Sequence, residues 1–174
     1  MVAVGRRVFI RAPTARHRDE FLALMRSSRA ALRPWVDPPA DRSAFRAYLE
    51  RIRRPAERGF LVCRRKDQVI VGVINVSQIF HGSFRSAYLG FYAGAPFMGM
   101  GYMSEGLRLV VHHAFAELGL HRLEANIQPA NRASIRLVGR VGFRREGLSR
   151  RYLKVFGRWR DHERWALTAD DVRR

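Results

Sequence analysis

The chain has 174 residues, enough for one domain with its own hydrophobic core, and an apolar content of 47% excludes a disordered tail. No run reaches the roughly 18 apolar residues of a membrane span, and residues 1–7 are too short and wrongly ordered for a secretory signal, so a cytoplasmic protein without membrane contact is expected. A net charge of +18 favours partners rich in phosphate, nucleic acid above all. Of the 33 basic residues only Lys66 and Lys154 are lysines. A codon bias toward arginine explains that choice but leaves the positive field in place.

Residues 6–11 read as a first strand. Thr14 can cap a helix over residues 15–28 that turns Phe21, Leu22, Leu24 and Met25 inward. Pro34, Pro38 and Pro39 make residues 32–40 a loop. Asp41 can cap a second helix to residue 54, with Phe45, Tyr48, Leu49 and Ile52 as its apolar face. Residues 59–65 and 69–79 form a hairpin around Lys66-Asp67-Gln68, and residues 87–92 form the next strand. Beyond a glycine-rich loop, Met103, Leu107, Val110, Val111, Ala114 and Leu118 recur at helical spacing until Gly119 ends the helix. A strand at 122–127, a short helix at 133–140 and two strands at 143–154 and 159–168 complete the chain. This alternation fits an α+β or mixed α/β fold. With no linker or repeat, residues 1–174 form a single domain. Cys63 cannot make an internal disulfide and reads as a small core residue. Trp35, Trp159 and Trp165 read as packing residues rather than base-stacking platforms.

The loop between the strand at 87–92 and the following helix is the most informative stretch. It reads Met98-Gly99-Met100-Gly101-Tyr102-Met103-Ser104. A glycine loop opening a helix presents unpaired backbone N–H groups to a phosphate or pyrophosphate. It is not a Walker loop, since Gly101 is followed by Tyr102 and Met103 with no lysine nearby. Nor is it a dinucleotide fingerprint, which needs three spaced glycines after the first strand. A plain strand-to-helix turn remains the other reading of the two glycines.

From residue 89 to residue 167 the chain resembles the GNAT superfamily of acetyl-CoA-dependent N-acetyltransferases. Within it the closer likeness is to the Rim-type branch, the ribosomal-protein N-terminal acetyltransferases. That family's loop is Gln or Arg, two residues, Gly, one residue, then Gly or Ala. Here Met98 stands at the first position, Gly101 at the central one and Met103 at the last. Three further segments match: Asn131-Arg132-Ala133-Ser134 followed by Val141-Gly142-Phe143, then Gly157-Arg158-Trp159-Arg160-Asp161-His162, and Leu32-Arg33-Pro34-Trp35 near the start. The resemblance implies a mostly antiparallel mixed sheet of about seven strands flanked by about four helices. It implies acetyl-CoA as cosubstrate, held by backbone groups of Phe91, Tyr92 and Ala93, by the loop from Met98 through Gly99, Met100, Gly101, Tyr102 and Met103 to Ser104, and by Asn131 and Ser134. Ser134 would serve the leaving sulfur; it also reads as an ordinary first-turn residue, and Asn131 as the cap of the same helix.

The base is open at this level. Glu124, Asn126 and Gln128 alternate along one strand and share a side. Glu124 can take a proton directly or through water, or pair with one of many arginines. Asp161-His162 is the second candidate, and an exposed strand end is the other reading of it. Related enzymes place a carboxylate near Leu153, where this chain has none, and Glu146 reads as structural. Arg132, Arg136 and Arg140 recur on the Ser134 helix, as phosphate ligands or a solvated stripe. His113 and Glu117 complete no metal set. The acceptor expected from the resemblance is a protein N-terminus, in a ribosomal protein or on the ribosome. A small-molecule amine is the alternative, and a basic RNA- or ribosome-binding module with little catalysis is another. Monomer and homodimer both stay open.

Overall fold

Strand position follows burial. The strands β3 (Arg58–Arg64) and β4 (Ile70–Phe80) carry near-continuous buried apolar runs, Phe60 to Cys63 and Ile70 to Ile74. Such strands need cover on both faces and belong at the middle of a sheet. The computed structural model describes residues 1–172. It places β1 (Ala3–Val4) and β2 (Val8–Arg11) on one side of the central pair. On the other lie β5 (Ser86–Ala93), β6 (Arg122–Ile127), β8 (Arg158–Thr168) and β7 (Arg144–Val155), in that order. Every neighbouring pair is antiparallel except β5 and β6.

A parallel pair needs a crossover. The connection here is the helix α3 (Tyr102–Ala116). It packs on one face of the sheet with α4 (Arg132–Val141), over Val8, Ile10, Val62, Leu89 and Leu123. Alternation sends the neighbouring side chains Phe9, Leu61, Cys63, Val73 and Tyr92 to the opposite face, where α1 (Arg18–Leu32) and α2 (Arg42–Arg51) cover them. Burial pushes the Cys63 thiol up to about 11, as expected of an inert core cysteine. Asp41 caps α2, its Oδ1 accepting from Ala44 N at 2.8 Å.

The mixed sheet and the flanking helices agree with the expected architecture. Among the described residues there are eight strands and five helices, the last a single turn α5 (Ala169–Val172). The added strand is β1, too short to carry an alternation pattern. Helix α1 runs on to Leu32, four residues past the expected end at Ser28. Ser28 is fully buried inside it and its Oγ accepts from Ala95 N at 2.8 Å, which ties the helix to the segment entering the glycine loop. Trp159 corrects one expectation: 60% exposed, it packs against nothing that would bury it. Among the described residues no helix is long and apolar enough to cross a membrane.

Glu105, in the first turn of α3, fixes the helix to the sheet edge. Its Oε1 accepts from Arg7 N at 2.7 Å and from Val8 N at 3.2 Å, and its Oε2 from Arg7 Nε at 3.2 Å. Burial raises its pKa, but these three donors outweigh burial and hold the carboxyl below its ordinary value. Glu105→Ala leaves two backbone donors without a partner. It is expected to lower stability by about 1–3 kcal/mol, read as a fall in the urea midpoint at unchanged m.

Candidate active site

Strands β5 and β6 pair over only three positions, Ser86 with Arg122, Ala87 with Leu123 and Tyr88 with Glu124. Beyond Tyr88 the two strands diverge while β5 stays paired with β4 through Ala93. The edge of β5 from Leu89 to Ala93 therefore faces an open cleft with no strand on it. The cleft encloses about 410 Å³, within the size range of small-molecule sites. Phe91, Tyr92 and Ala93 line it from β5, and Asn126, Ile127 and Gln128 from β6.

One end of the cleft is the glycine loop. Gly99 and Gly101 have φ of +76° and +79°, a region an L side chain enters only at a cost. Gly101 is the N-cap of α3 and no side chain caps the helix. The first intrahelical bond runs from Glu105 N to Gly101 O, so the amides of Tyr102, Met103 and Ser104 are left over. The helix dipole adds partial positive charge there. Behind the loop, Arg7 Nη1 donates to Met100 O at 3.2 Å, holding the loop from the side away from the cleft. The Arg7 guanidinium also stacks on the Tyr102 ring, 5.1 Å from its centre. Met103 turns inward over Gly72 and belongs to the core. That packing accounts for a methionine where a glycine or alanine is usual.

The opposite wall is α4. Asn131 Oδ1 accepts from Ser134 N at 3.2 Å and caps the helix. The cap fixes the first turn so that Ser134 lines the cleft, with its hydroxyl free of any protein partner among the described residues. Arg136 and Arg140 line the same wall, whereas Arg132 points elsewhere.

The third side opens between β6, β8 and the segment after α1. Trp35 and Val36 form its lip, and Gln128 Nε2 reaches Pro34 O at 3.5 Å across it. His162 of β8 lines this side and is buried to 4% exposure. Its Nδ1 lies 3.0 Å from Arg160 O. A carbonyl only accepts, so Nδ1 carries the proton and Nε2 is left as the acceptor in the neutral ring. Burial lowers the His162 pKa below 6.5, against smaller opposing effects of the Arg160 carbonyl and Asp161. Asn126 Oδ1 is buried beside the cleft with no hydrogen-bond partner. Among the described residues no aspartate or glutamate lines the cleft.

Glu124 shares a strand face with Asn126 and Gln128, as the spacing predicts, but it does not line the cleft. Its Oε1 accepts from Arg122 Nε at 2.8 Å, and the same guanidinium holds Glu146, with Nη1 3.0 Å from Glu146 Oε1. A carboxylate tied to a shared guanidinium at the closed end of the β5–β6 pair has neither the reach nor the freedom of a base.

The profile of the acetyltransferase (GNAT) domain matches residues 7–144. The chain belongs to the GNAT family. It is 31% identical over 175 residues to the probable N-acetyltransferase YjcK of Bacillus subtilis, covering 96% of this chain and 97% of that one. It is 35% identical over 153 residues to the [ribosomal protein uS5]-alanine N-acetyltransferase of Escherichia coli, covering 83% and 78%. The structure of Mycobacterium smegmatis RimJ in complex with CoA-disulfide superposes with a TM-score of 0.88 at 28% identity, covering 96% of this chain and 84% of that one.

As a GNAT acetyltransferase the protein uses acetyl-CoA, and the cleft suits it. Free amides at the loop and two arginines on α4 offer donors for phosphates, while the unpaired β5 edge offers hydrogen bonds to an extended amide chain. Of the residues expected at the cosubstrate site, Phe91, Tyr92, Ala93, Met98, Gly99, Gly101, Met103, Ser104, Asn131 and Ser134 line the cleft. Met100 and Tyr102 do not; Met100 is half exposed, and the Tyr102 ring turns toward Arg7 and Phe97. Trp35 was legible only as a packing residue, and Asn126 only by its place in an alternating strand. Gly101→Val places a branched side chain at φ +79°, where its Cβ would meet Arg7 Nη2 at 3.0 Å. It is expected to weaken acetyl-CoA binding by about 10-fold or more, measured by calorimetric titration, because the amides lose their common direction.

Proposed function

We propose that the protein transfers the acetyl group of acetyl-CoA to the N-terminal α-amine of a protein, with ribosomal proteins as the acceptor class. The observation that carries this reading is the acceptor side of the cleft. Among the described residues its lining includes Asn126 and the ring of His162 beside an aromatic lip at Trp35, and no carboxylate. A single amine on a peptide suits such a lining. A polycation needs negative charge along its length and meets none here. The 35% identity with the uS5-alanine acetyltransferase supports the same class.

Acetyl-CoA supplies an activated thioester. The chain's own groups do the rest by direct transfer. The N–H groups within residues 91–93 that point away from β4 polarise the acetyl carbonyl as preorganised donors. Asn126 Oδ1 accepts from the attacking amine and orients it. His162 Nε2 takes the proton that the amine sheds as the C–N bond forms. The Ser134 hydroxyl gives its proton to the sulfur as the C–S bond breaks, and recovers one from solvent. The roles expected of Ser134 and Asn131 are kept, and His162 takes the place given to Glu124.

Free CoA release with N-terminal peptides of ribosomal proteins, alongside spermidine and other small amines, tests the acceptor class. Turnover on a peptide and little on polyamines is the expected result. Turnover confined to small amines would overturn the acceptor class and leave the cleft chemistry standing.

A further inference from the structure

The far half of the β7–β8 hairpin lies outside the residues that line the cleft. Between residues 150 and 160 it presents Arg150, Arg151, Lys154, Arg158 and Arg160, all exposed and none in an ion pair among the described residues. The nearby acid is Asp161, whose Oδ1 is taken by Arg151 N at 2.8 Å. Trp159 is 60% exposed and directly opposite Lys154 across the ladder, so the two share a face with their Cβ atoms roughly 5 Å apart. The tip is Phe156-Gly157, with φ of +48° and +77°. A two-residue turn of this kind favours asparagine or glycine at its first position, and a bulky residue there is strained. Phe156 is 51% exposed, so packing does not repay the strain.

An unburied aromatic platform beside unpaired cations is how proteins hold single-stranded nucleic acid, with bases on the rings and phosphates on the cations. We propose that this hairpin end binds single-stranded RNA, with Trp159 as the stacking platform, Lys154 on the same face, and Arg158, on the other face of the ladder at the tip, on the backbone phosphates as the strand passes around it. Charge complementarity selects that occupant over a second copy of this chain, since two such tips would bring like charges together on a molecule of net charge +18. The choice of RNA over DNA rests on the acceptor class proposed above, because ribosomal proteins sit among RNA.

The test is fluorescence anisotropy of a labelled 12-nucleotide RNA of mixed sequence, titrated with the full chain over a series of salt concentrations. Trp159→Ala is expected to weaken binding by about 5–100-fold. The double change Lys154→Gln with Arg158→Gln is expected to make the log–log salt slope shallower by about 1.4. The charge-matched control, Arg26→Gln with Arg29→Gln on exposed α1, changes the slope much less. Equal losses in the control would reduce the effect to the overall field and overturn the hairpin site. So would unchanged binding in Trp159→Ala, tighter binding of a DNA of the same sequence, or a dimer in sedimentation that Trp159→Ala dissolves. Turnover on a free peptide should persist in Trp159→Ala, so failure of RNA binding and failure of the acetylation reading are separable.

Discussion

Ser134→Ala is expected to lower turnover by about 100-fold while acetyl-CoA affinity stays within a few-fold. The hydroxyl lines the cleft from the first turn of α4 and has no protein partner among the described residues, so its loss leaves no buried donor stranded. The turn itself is held through Ser134 N, which donates to Asn131 Oδ1 whatever the side chain at 134. The deficit should therefore appear in kcat. It should shrink with an acetyl donor whose leaving group is less basic than a thiolate of CoA, since such a group needs less help from a proton donor. Equal turnover in the two proteins would remove Ser134 from the chemistry, and a deficit confined to KM would make it a binding residue.

His162→Asn is expected to lower turnover by about 100-fold or more and to change the pH profile. Asparagine keeps an amide donor close to the place of Nδ1, toward the Arg160 carbonyl, and loses the Nε2 acceptor. The sign of the pH dependence follows from burial, which lowers the His162 pKa below 6.5. Only the neutral ring accepts a proton. The contribution of His162 is full above 6.5 and is lost as pH falls through the lower, folded-state value. The limb near pH 8 belongs to the free α-amine of the peptide and should be present in both proteins. Stability moves in the same direction. The unfolded chain takes up the proton first, so His162 contributes stability above 6.5 that is lost as pH falls through the folded value. Unfolding at each pH separates the two effects. An acid limb that survives unchanged in His162→Asn would assign the base elsewhere.

Much of this site is legible in the sequence. The glycine loop, Asn131 and Ser134 stand on local sequence, because a helix start is written in a few adjacent residues. The strand alternation put Glu124, Asn126 and Gln128 on one side correctly. It could not say where along that strand the cleft begins. The β5–β6 pairing stops at Tyr88 and Glu124, so the cleft opens one step too late for Glu124 and takes Asn126 instead. His162 was ambiguous for a similar reason. A residue on a strand is buried or exposed according to what lies across from it, and here Ser149 and the Tyr152 ring of β7 lie across from His162. Trp159 goes against the rule that tryptophan is usually packed, since it stays 60% exposed at the hairpin end. The clamp of Glu105 on Arg7 and Val8 joins residues almost a hundred positions apart, and nothing in the local pattern announces it.

The most direct test of the account is to locate the acetyl group. A ribosomal-protein N-terminal peptide that also contains one internal lysine is incubated with the protein and acetyl-CoA, and the product is sequenced by tandem mass spectrometry. The account predicts acetyl on the α-nitrogen and none on the lysine. Acetyl on the lysine alone, or a product from polyamines where the peptide gives none, would contradict it.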